Sequence, residues 1–199
     1  AMVFDPPLND ILLISPDFCR SESELDLRKI QLDSRLGMYT IYTSGSRGNP
    51  KGGVEQHQGV VNRFEWMVGN LSEVSQNLFD VSKCRMLQKT SMSFDVSVWE
   101  LWFPLIKGSH LVLIPQGAER DPHMIYDYVT KHQISLLHFV PSSLAVFLTT
   151  LDEFAISEAF RSVEHLYTSG EALTRNIAMI IQSSAPHTVL LNYYGLTET

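Results

Sequence analysis

The residues best suited to chemistry lie in one short loop that follows a β-branched and aromatic stretch. The stretch Tyr39–Thr43 predicts a strand, and it stops at small and polar residues with one lysine, Lys51. Glycines let a backbone approach an anion and turn its N–H groups inward, while hydroxyl and ammonium groups add donors and charge. The loop therefore predicts a polyphosphate cradle, with an ordinary glycine-rich hairpin as the alternative. Its glycines are Gly45, Gly48 and Gly52, and its hydroxyl residues are Thr43, Ser44 and Ser46.

Two familiar loop motifs do not describe this segment. A Walker A loop has four residues between its first glycine and Gly-Lys-Ser/Thr, whereas Pro50 precedes Lys51 here. A nucleophile elbow needs Gly-x-Ser-x-Gly, which the loop does not contain. The residue types therefore indicate an anion-binding loop, but they do not assign it to either of these two motif classes.

Composition limits the kinds of partner. The chain has 199 residues, 44% hydrophobic and 19% charged, enough for one core or one lobe of something larger. A formal net charge of −7 argues against a nucleic-acid partner, which normally requires a basic face. Cys19 and Cys84 have no disulfide or zinc-site spacing, which fits a reducing, cytoplasmic setting. The sequence shows no signal peptide and no run near the roughly 18 apolar residues of a membrane span.

The elements that must position these residues alternate from residue 37 onward. Apolar runs predict strands at Met38–Thr43, Cys84–Gln88, His110–Pro115, Ile134–Val140, Val163–Thr168 and Thr188–Asn192. Amphipathic segments predict helices at Gln58–Val68, Val96–Leu105, Pro122–Lys131, Ser142–Leu151 and Thr174–Ser183. Helices between successive strands imply right-handed crossovers. The predicted fold is therefore α/β, a layered and mostly parallel β-sheet flanked by helices.

Three predicted strands end in small polar or turn residues, at Thr43-Ser44-Gly45, Thr168-Ser169-Gly170 and Tyr194-Gly195. In parallel sheets, ligands bind at the carboxyl ends of the strands. These three loops are therefore candidates to share one crevice.

Four stretches together resemble the adenylate-forming enzymes, most closely the adenylation domains of nonribosomal peptide synthetases. They are YTSGSRGNPKG, FDVSVWELWFPLIKG, LYTSGEAL and NYYGLTET, in the family's order and spacing. In this family an amino or carboxylic acid attacks the α-phosphate of ATP, giving an acyl-adenylate and pyrophosphate, and a pantetheine thiol then takes the acyl group. The resemblance implies ATP, Mg²⁺ and a carrier domain bearing phosphopantetheine. It also makes the sheet part of the family's large N-terminal lobe.

The resemblance assigns the phosphate and metal contacts. The phosphate loop would consist of Thr43, Ser44, Gly45, Ser46, Gly48 and Lys51. Thr197 would touch the α-phosphate, which makes Lys51 and Thr197 the expected catalytic residues. Glu198 would bind Mg²⁺, a hard cation that prefers oxygen ligands. Two positions depart from the family pattern: Arg47 replaces the usual threonine, and Leu196 replaces the commoner proline.

The resemblance also assigns an adenine site. Tyr194 would stack on the base, Asn192 would contact its amino edge, and the turn Gly170-Glu171-Ala172 would cover the other face. The alternative is that Tyr193 and Tyr194 are core aromatics at a strand end and that Glu198 is a solvated carboxylate.

The second stretch carries the expected acid-substrate pocket. Asp95 matches the carboxylate that pairs with a substrate α-ammonium, with a helix N-cap as its alternative role. The other expected wall residues are Val96, Trp99, His138, Ser169 and Tyr193. Core packing is the alternative for all of them except Ser169. The set Asp95, Val96, Trp99, His138 and Ser169 resembles that of serine-activating domains. Tyr167 and Tyr193 depart from the aliphatic residues usual there, so another substrate side chain stays open.

The resemblance divides the chain into a lead-in segment, 1–36, and a partial adenylation domain, 37–199, in which the family's smaller C-terminal subdomain is absent. The expected function is ATP-dependent activation of an amino acid, serine-like, for a carrier domain, and this chain alone is expected not to be fully active. Two alternatives stay open: a fragment of a fatty or aryl acid–coenzyme A ligase, which needs no ammonium partner, and a non-catalytic remnant that only binds nucleotide.

Overall fold

A computed structural model describes residues 33–44, 49–74 and 80–195. Its described residues form two compact units, one up to Arg63 and one from Phe64 onward. The expected phosphate-loop residues Gly45, Ser46 and Gly48 lie outside the described residues, as do Thr197 and Glu198.

The first unit contains an antiparallel hairpin. Strand β1, Gly37–Thr43, pairs with β2, Lys51–Gln56, in a register that sets Thr43 opposite Lys51. Strand β1 was expected from the sequence, but it belongs to this two-stranded sheet and not to the parallel one. A direct chain return over a short connection allows only antiparallel pairing, because a parallel partner needs a long crossover. The described strands on either side of the loop therefore pair directly.

Helix α1, His57–Val74, follows the hairpin and is longer than predicted. Its first backbone N–H, on His57, donates to the carbonyl of Leu36 at 3.1 Å. Since the first N–H groups of a helix have no partner within it, this bond satisfies one of them and joins the helix start to the residue before β1.

The second unit contains a five-stranded parallel sheet. Its strands are β3 Arg85–Gln88, β4 His110–Leu113, β5 Leu136–Phe139, β6 His165–Ser169 and β7 Val189–Tyr193, in the order β4-β3-β5-β6-β7. All four strand pairs are parallel. The connecting helices are α2 Val96–Lys107, α3 Pro122–His132, α4 Pro141–Thr150, α5 Glu153–Ala159 and α6 Arg175–Ser184. The predicted α/β class is confirmed.

Local chemistry fixes where several helices begin and end. Helix α3 starts at Pro122 because Asp121 caps it, its Oδ1 accepting from the His123 N–H at 2.9 Å. Asp152 caps α5 in the same way, through the Ala155 N–H at 2.8 Å. Helix α2 ends at Gly108, whose φ of 72° is left-handed and favours glycine.

Alternation along the strands divides the second unit into two faces. Leu137, Phe139 and Leu166 belong to one hydrophobic cluster with residues of α3, α4, α5 and α6. Their strand neighbours His138 and Tyr167 point the other way, where both rings contact Trp99 of α2. Every residue of β5 is buried, as expected for a strand covered on both faces.

Two buried groups have strongly shifted pKa values. Burial lowers the pKa of His165, in β6, to about 4. Burial raises the pKa of the Cys84 thiol, next to β3, to about 12. Both groups are therefore neutral at pH 7.

Within the described part of the chain, no helix combines the length and apolar character that crossing a membrane requires.

Candidate functional site

The strand order identifies the edge of the sheet where a ligand would bind. The chain passes from β3 to β4 on one side and then returns to β5 on the other side of β3. In open parallel sheets, binding crevices lie beyond the carboxyl ends of the strands where this reversal occurs. The residues that follow β3, β5, β6 and β7 therefore line the candidate site.

A hydrogen bond between His138 and Ser169 lies at this edge. Nε2 of His138, in β5, is 2.8 Å from Oγ of Ser169, the last residue of β6. His138 is 2% exposed and Ser169 is half-buried, so the serine is the more accessible member of the pair. Trp99 packs edge-on against the His138 ring, with centroids 5.9 Å apart. The structure thus brings together three of the residues expected from the sequence.

Asp95 and Val96 stand at the start of α2, and both are half-buried. Asp95 occupies the N-cap position, as the alternative expected, but it has helical backbone angles and its side chain makes no capping hydrogen bond. Asp95 and Trp99 are four residues apart, which puts them on one face of the helix. Asp95 thus lies on the helix face that carries Trp99, and its carboxylate accepts no hydrogen bond from the backbone N–H groups of the first helical turn.

Tyr193 connects this face to α1. Its hydroxyl donates to Oδ1 of Asn70 at 3.2 Å, and its ring lies 5.4 Å from that of Trp66. On its other side the ring lies 5.3 Å from that of Tyr167, which is fully buried. Burial raises the pKa of the Tyr167 phenol, which therefore stays neutral. Tyr193 is therefore a half-buried residue with contacts on two sides of its ring. Its α1 partners, Asn70 and Trp66, were not expected from the sequence.

A buried carboxylate, Glu100, lies behind the His138 ring and was also missed. Its Oε2 accepts from the N–H groups of Lys89 and Thr90, at 3.1 and 2.8 Å, and its Oε1 accepts from the Thr90 hydroxyl at 2.7 Å. The same Oε1 is 3.7 Å from Nδ1 of His138. The sequence does contain a signal for this contact, since Glu100 is a charged residue inside the apolar run of α2. Glutamates are almost never fully buried without a partner, so its position there implies polar partners.

The pair Glu100 and Lys89 is desolvated. Burial raises the pKa of the Glu100 carboxyl, while Lys89 and the donors at Thr90 oppose that shift. Burial lowers the pKa of Lys89, whose Nζ lies 4.1 Å from the centroid of the Phe139 ring. The ring face and the nearby carboxylate partly offset the loss of water around the ammonium.

The expected adenine residues are spread over the loop after β6 and the end of β7. Gly170 has a φ of 84°, so the chain turns there in the left-handed region. Glu171 anchors this turn, because its carboxylate accepts from the N–H and hydroxyl of Ser142, at 2.9 and 3.0 Å, in the first turn of α4. Negative charge is favourable at a helix N-terminus. Ala172 is exposed beside it.

Asn192 and Tyr194 are accessible at the strand end. Oδ1 of Asn192 accepts from the hydroxyl of Thr168 at 2.8 Å, and the residue is exposed. The Tyr194 side chain is 90% exposed. The alternative that Tyr194 is a core aromatic is therefore wrong.

The described phosphate-loop residues flank the ends of the hairpin. Thr43 is half-buried at the end of β1, Ser44 follows it in an exposed position, and Lys51 is exposed at the start of β2. An added Cβ on Gly52 would come within 3.2 Å of the Thr40 and Tyr42 side chains, so the packing of the hairpin itself favours a glycine there. Among the described residues, no cluster of three or more His, Cys, Asp or Glu side chains is placed to hold a metal ion.

Comparisons with known proteins agree with this architecture. A family model described as AMP-binding enzyme matches residues 12–199. The chain is 38% identical over 167 residues to the vanchrobactin synthetase VabF of Vibrio anguillarum, a match that covers 80% of this chain and 5% of the relative. It is 37% identical over 165 residues to the zwittermicin A synthase ZmaJ of Bacillus cereus, over 81% of this chain and 30% of ZmaJ. This chain therefore spans less than a third of the length of either relative.

Solved structures share the fold. The Vibrio cholerae adenylation domain AlmE, in complex with glycyl-adenosine-5'-phosphate, superposes with a TM-score of 0.69 at 22% identity, over 88% of this chain and 32% of AlmE. The nonribosomal peptide synthetase FmoA3 (S1046A), in its α-methyl-L-serine-AMP bound form, gives a TM-score of 0.70 at 23% identity, over 83% of this chain and 17% of FmoA3.

The chain belongs to the AMP-binding enzyme family. The expected resemblance to nonribosomal peptide synthetase adenylation domains is confirmed by the family model and the relatives, and the solved structures share the fold.

Proposed function

We propose that this chain contributes the nucleotide and substrate sites of a domain that activates a small hydroxy-amino acid, such as serine, as its aminoacyl-adenylate. The activated acyl group would pass to the phosphopantetheine thiol of a carrier domain. The proposed setting is cytoplasmic, with no nucleic-acid or membrane partner.

The observation that carries this proposal is the 2.8 Å hydrogen bond between His138 and Ser169. Both side chains are polar, and His138 is almost fully buried under Trp99. A buried polar pair at the edge of a binding crevice is costly unless its hydrogen-bonding capacity is used. A substrate hydroxyl at Ser169 would use that capacity, and the rings of Trp99, Tyr167 and Tyr193 would restrict the side chain to a small one.

Asp95 is the proposed partner of the substrate ammonium. It is half-buried and makes no bond to the helix end, so its carboxylate can meet a cation. Partial desolvation strengthens such a charge-assisted contact. Val96 would form the adjoining wall. A plain carboxylic acid would leave Asp95 unpaired, which disfavours the coenzyme A ligase alternative.

The nucleotide roles follow the family assignment. Lys51 and Thr43 face each other across the hairpin, so an ammonium and a hydroxyl flank the proposed phosphate loop, a donor set that suits an anion. Lys51 would neutralise phosphate charge and Thr197 would contact the α-phosphate. Glu198 is the proposed Mg²⁺ ligand, since a carboxylate oxygen suits this hard cation. ATP supplies the activated phosphoryl centre, and the protein supplies orientation and charge.

The adenine site would use Tyr194 as a stacking ring and Asn192 as a polar contact. The exposed position of Tyr194 leaves its ring face accessible for a base. The turn Gly170-Glu171-Ala172 would cover the other face, and its anchor to Ser142 supports a fixed position for it. The two solved structures with bound aminoacyl-AMP ligands support the ligand class.

Binding of stable adenylate analogues to the 199-residue chain tests this proposal. The analogues carry a sulfamoyl group in place of the phosphate and present seryl, alanyl or 3-hydroxypropionyl groups. We expect the seryl analogue to bind most tightly by calorimetry, and loss of the amino group to weaken binding about tenfold or more, as for one hydrogen-bonded charge pair. Asp95→Asn should remove that difference, while Asp127→Asn, at an exposed position on α3, should preserve it.

Other outcomes would select the alternatives. Equal affinity for the seryl and 3-hydroxypropionyl analogues would contradict the amino-acid assignment and favour an acid–coenzyme A ligase. Binding of ATP with Mg²⁺ but of no acyl analogue would favour a nucleotide-binding remnant. Substrate-dependent pyrophosphate exchange by this chain, at a rate typical of whole domains, would contradict the expectation that the chain alone is not fully active.

A further inference from the structure

Among the described residues, three groups hydrogen-bond to the Glu100 carboxylate, and all three are N–H or O–H donors. Two backbone N–H groups and the Thr90 hydroxyl point at its oxygens, and the residue is fully buried. A carboxylate surrounded in this way acts only as an acceptor. Any further group that faces it favourably must present a hydrogen or a positive charge.

Nδ1 of His138 is such a group. It lies 3.7 Å from Oε1 of Glu100, too far for a direct hydrogen bond but close enough for a strong interaction in a buried site. A protonated Nδ1 is attracted to the carboxylate, and a bare nitrogen lone pair is repelled. The neutral imidazole with its proton on Nδ1 has an acceptor at Nε2, and Nε2 is the atom 2.8 Å from Oγ of Ser169.

These contacts fix the direction of the hydrogen bond. With the proton on Nδ1, the Ser169 hydroxyl must donate to Nε2. Its oxygen then keeps only lone pairs for the crevice, so Ser169 meets a ligand as an acceptor. A ligand group that donates, such as a hydroxyl or an amine, satisfies it, whereas a methyl group does not.

We propose that Glu100 is a positioning residue that holds His138 in the Nδ1-protonated tautomer and thereby makes Ser169 an acceptor for a donor group on the substrate side chain. The choice of substrate rests on the proposed function, whereas the tautomer does not. The neighbouring ionisable groups are consistent with it: Lys89 partly balances the charge of Glu100, and the Tyr167 phenol beside the histidine is neutral.

Nitrogen-15 NMR of the imidazole tests the tautomer on the ligand-free chain. In the wild type, we expect the His138 ring to show a protonated Nδ1 and an unprotonated Nε2 near neutral pH. In Glu100→Gln, the side-chain amide can turn an N–H toward His138 while its oxygen keeps the backbone donors, so the population should move to the Nε2-protonated form. Glu153→Gln, at an exposed site on α5, is the matched control and should leave the ring unchanged.

Two results would overturn the inference. One is a wild-type His138 with its proton on Nε2, a measurement that needs no variant to fold. The other is a folded Glu100→Gln chain with His138 nitrogen shifts equal to those of the wild type. Ser169→Ala should retain the Nδ1 proton, because it removes only the contact at Nε2.

Analogue binding then tests the link to the substrate. We expect Glu100→Gln to reduce about tenfold the preference for a 2,3-diaminopropionyl analogue, whose side-chain ammonium only donates, over the alanyl analogue, as for one hydrogen bond to a charged group, and to have no such effect in the Ser169→Ala background. An equal reduction in both backgrounds would show that Glu100 does not act through Ser169. A wild type that binds no acyl analogue would contradict the proposed function and leave the tautomer result standing.

Discussion

The β1–β2 hairpin and the five-stranded sheet both present candidate binding groups, but they prepare those groups differently. Strand β1 has one buried residue, Ile41, whereas all four residues of β5 are buried. The hairpin offers backbone groups, hydroxyls and one ammonium at exposed ends of its strands. The sheet offers side chains that are packed under covering helices and have close partners, Glu100 beside His138 and Asn70 beside Tyr193.

This difference indicates which part of a ligand each region suits. Phosphate carries charge in all directions and can be met by several flexible donors. An amino acid side chain is distinguished by shape and by the direction of single hydrogen bonds, which requires rigid, buried walls. We expect the sheet to be the stable and selective region and the hairpin to be the adaptable one.

The largest expected effect comes from the core cluster. Phe160 is fully buried and packs edge-on against Phe147 with ring centroids 6.0 Å apart. Phe160→Ala should lower the free energy of unfolding by about 3–5 kcal/mol, because it removes apolar burial and leaves a cavity. Phe154→Ala is the control, since that ring is 78% exposed, and it should cost less than about 0.5 kcal/mol. Urea denaturation measures both, and equal losses would contradict the assignment of the core.

A pH-dependent effect of intermediate size should come from His165. Its folded pKa of about 4 lies below the ordinary value of 6.5, so the unfolded chain binds more protons between these two pH values. The neutral state of His165 gives full stability above pH 6.5, and stability falls as the pH drops toward 4, a loss on the order of 3 kcal/mol. Denaturant unfolding across this range should show a flatter profile for His165→Gln. The exposed His123→Gln should keep the wild-type slope, and identical slopes for all three would rule the effect out.

The smallest effect is expected in the hairpin. In Gly52→Ala, the new methyl group would press on Thr40 and Tyr42 at 3.2 Å, so amide hydrogen exchange in β1 should accelerate while that in β5 stays slow. The loss of global stability should be below about 1 kcal/mol. Gly69→Ala on α1 meets no atom within 4 Å and should stabilise by up to about 1 kcal/mol through helix propensity. A Gly52→Ala loss as large as that of Phe160→Ala would remove the distinction between the two regions.

The sequence predicted the parallel sheet well because of how such a sheet is buried. Apolar runs such as LLHFV stand out when both faces are covered, and all five strands occur where expected, within a few residues. Strand β2 was missed because Gly52 and Gly53 break its pattern, although cross-strand pairing supports it. Helix α5, with seven residues, is too short to show a helical period.

The site was less predictable. Motif resemblance could name His138 and Ser169, but only the strand pairing shows that their side chains meet. Glu100 and Asn70 were missed because a helical pattern normally assigns polar residues to solvent. Their roles depend on contacts with residues far away in the sequence, and local sequence patterns do not predict such contacts.

The buried Cys84 thiol has a consequence for labelling experiments. With a pKa of about 12, only about one thiol in 10⁵ is ionised at pH 7, and alkylating reagents attack the thiolate. Covalent modification of Cys84 therefore has to wait until the start of β3 opens to solvent. The rate at which Cys84 is alkylated, followed by peptide mass spectrometry, therefore measures how often the start of β3 opens. It also measures how far a bound ligand suppresses that opening.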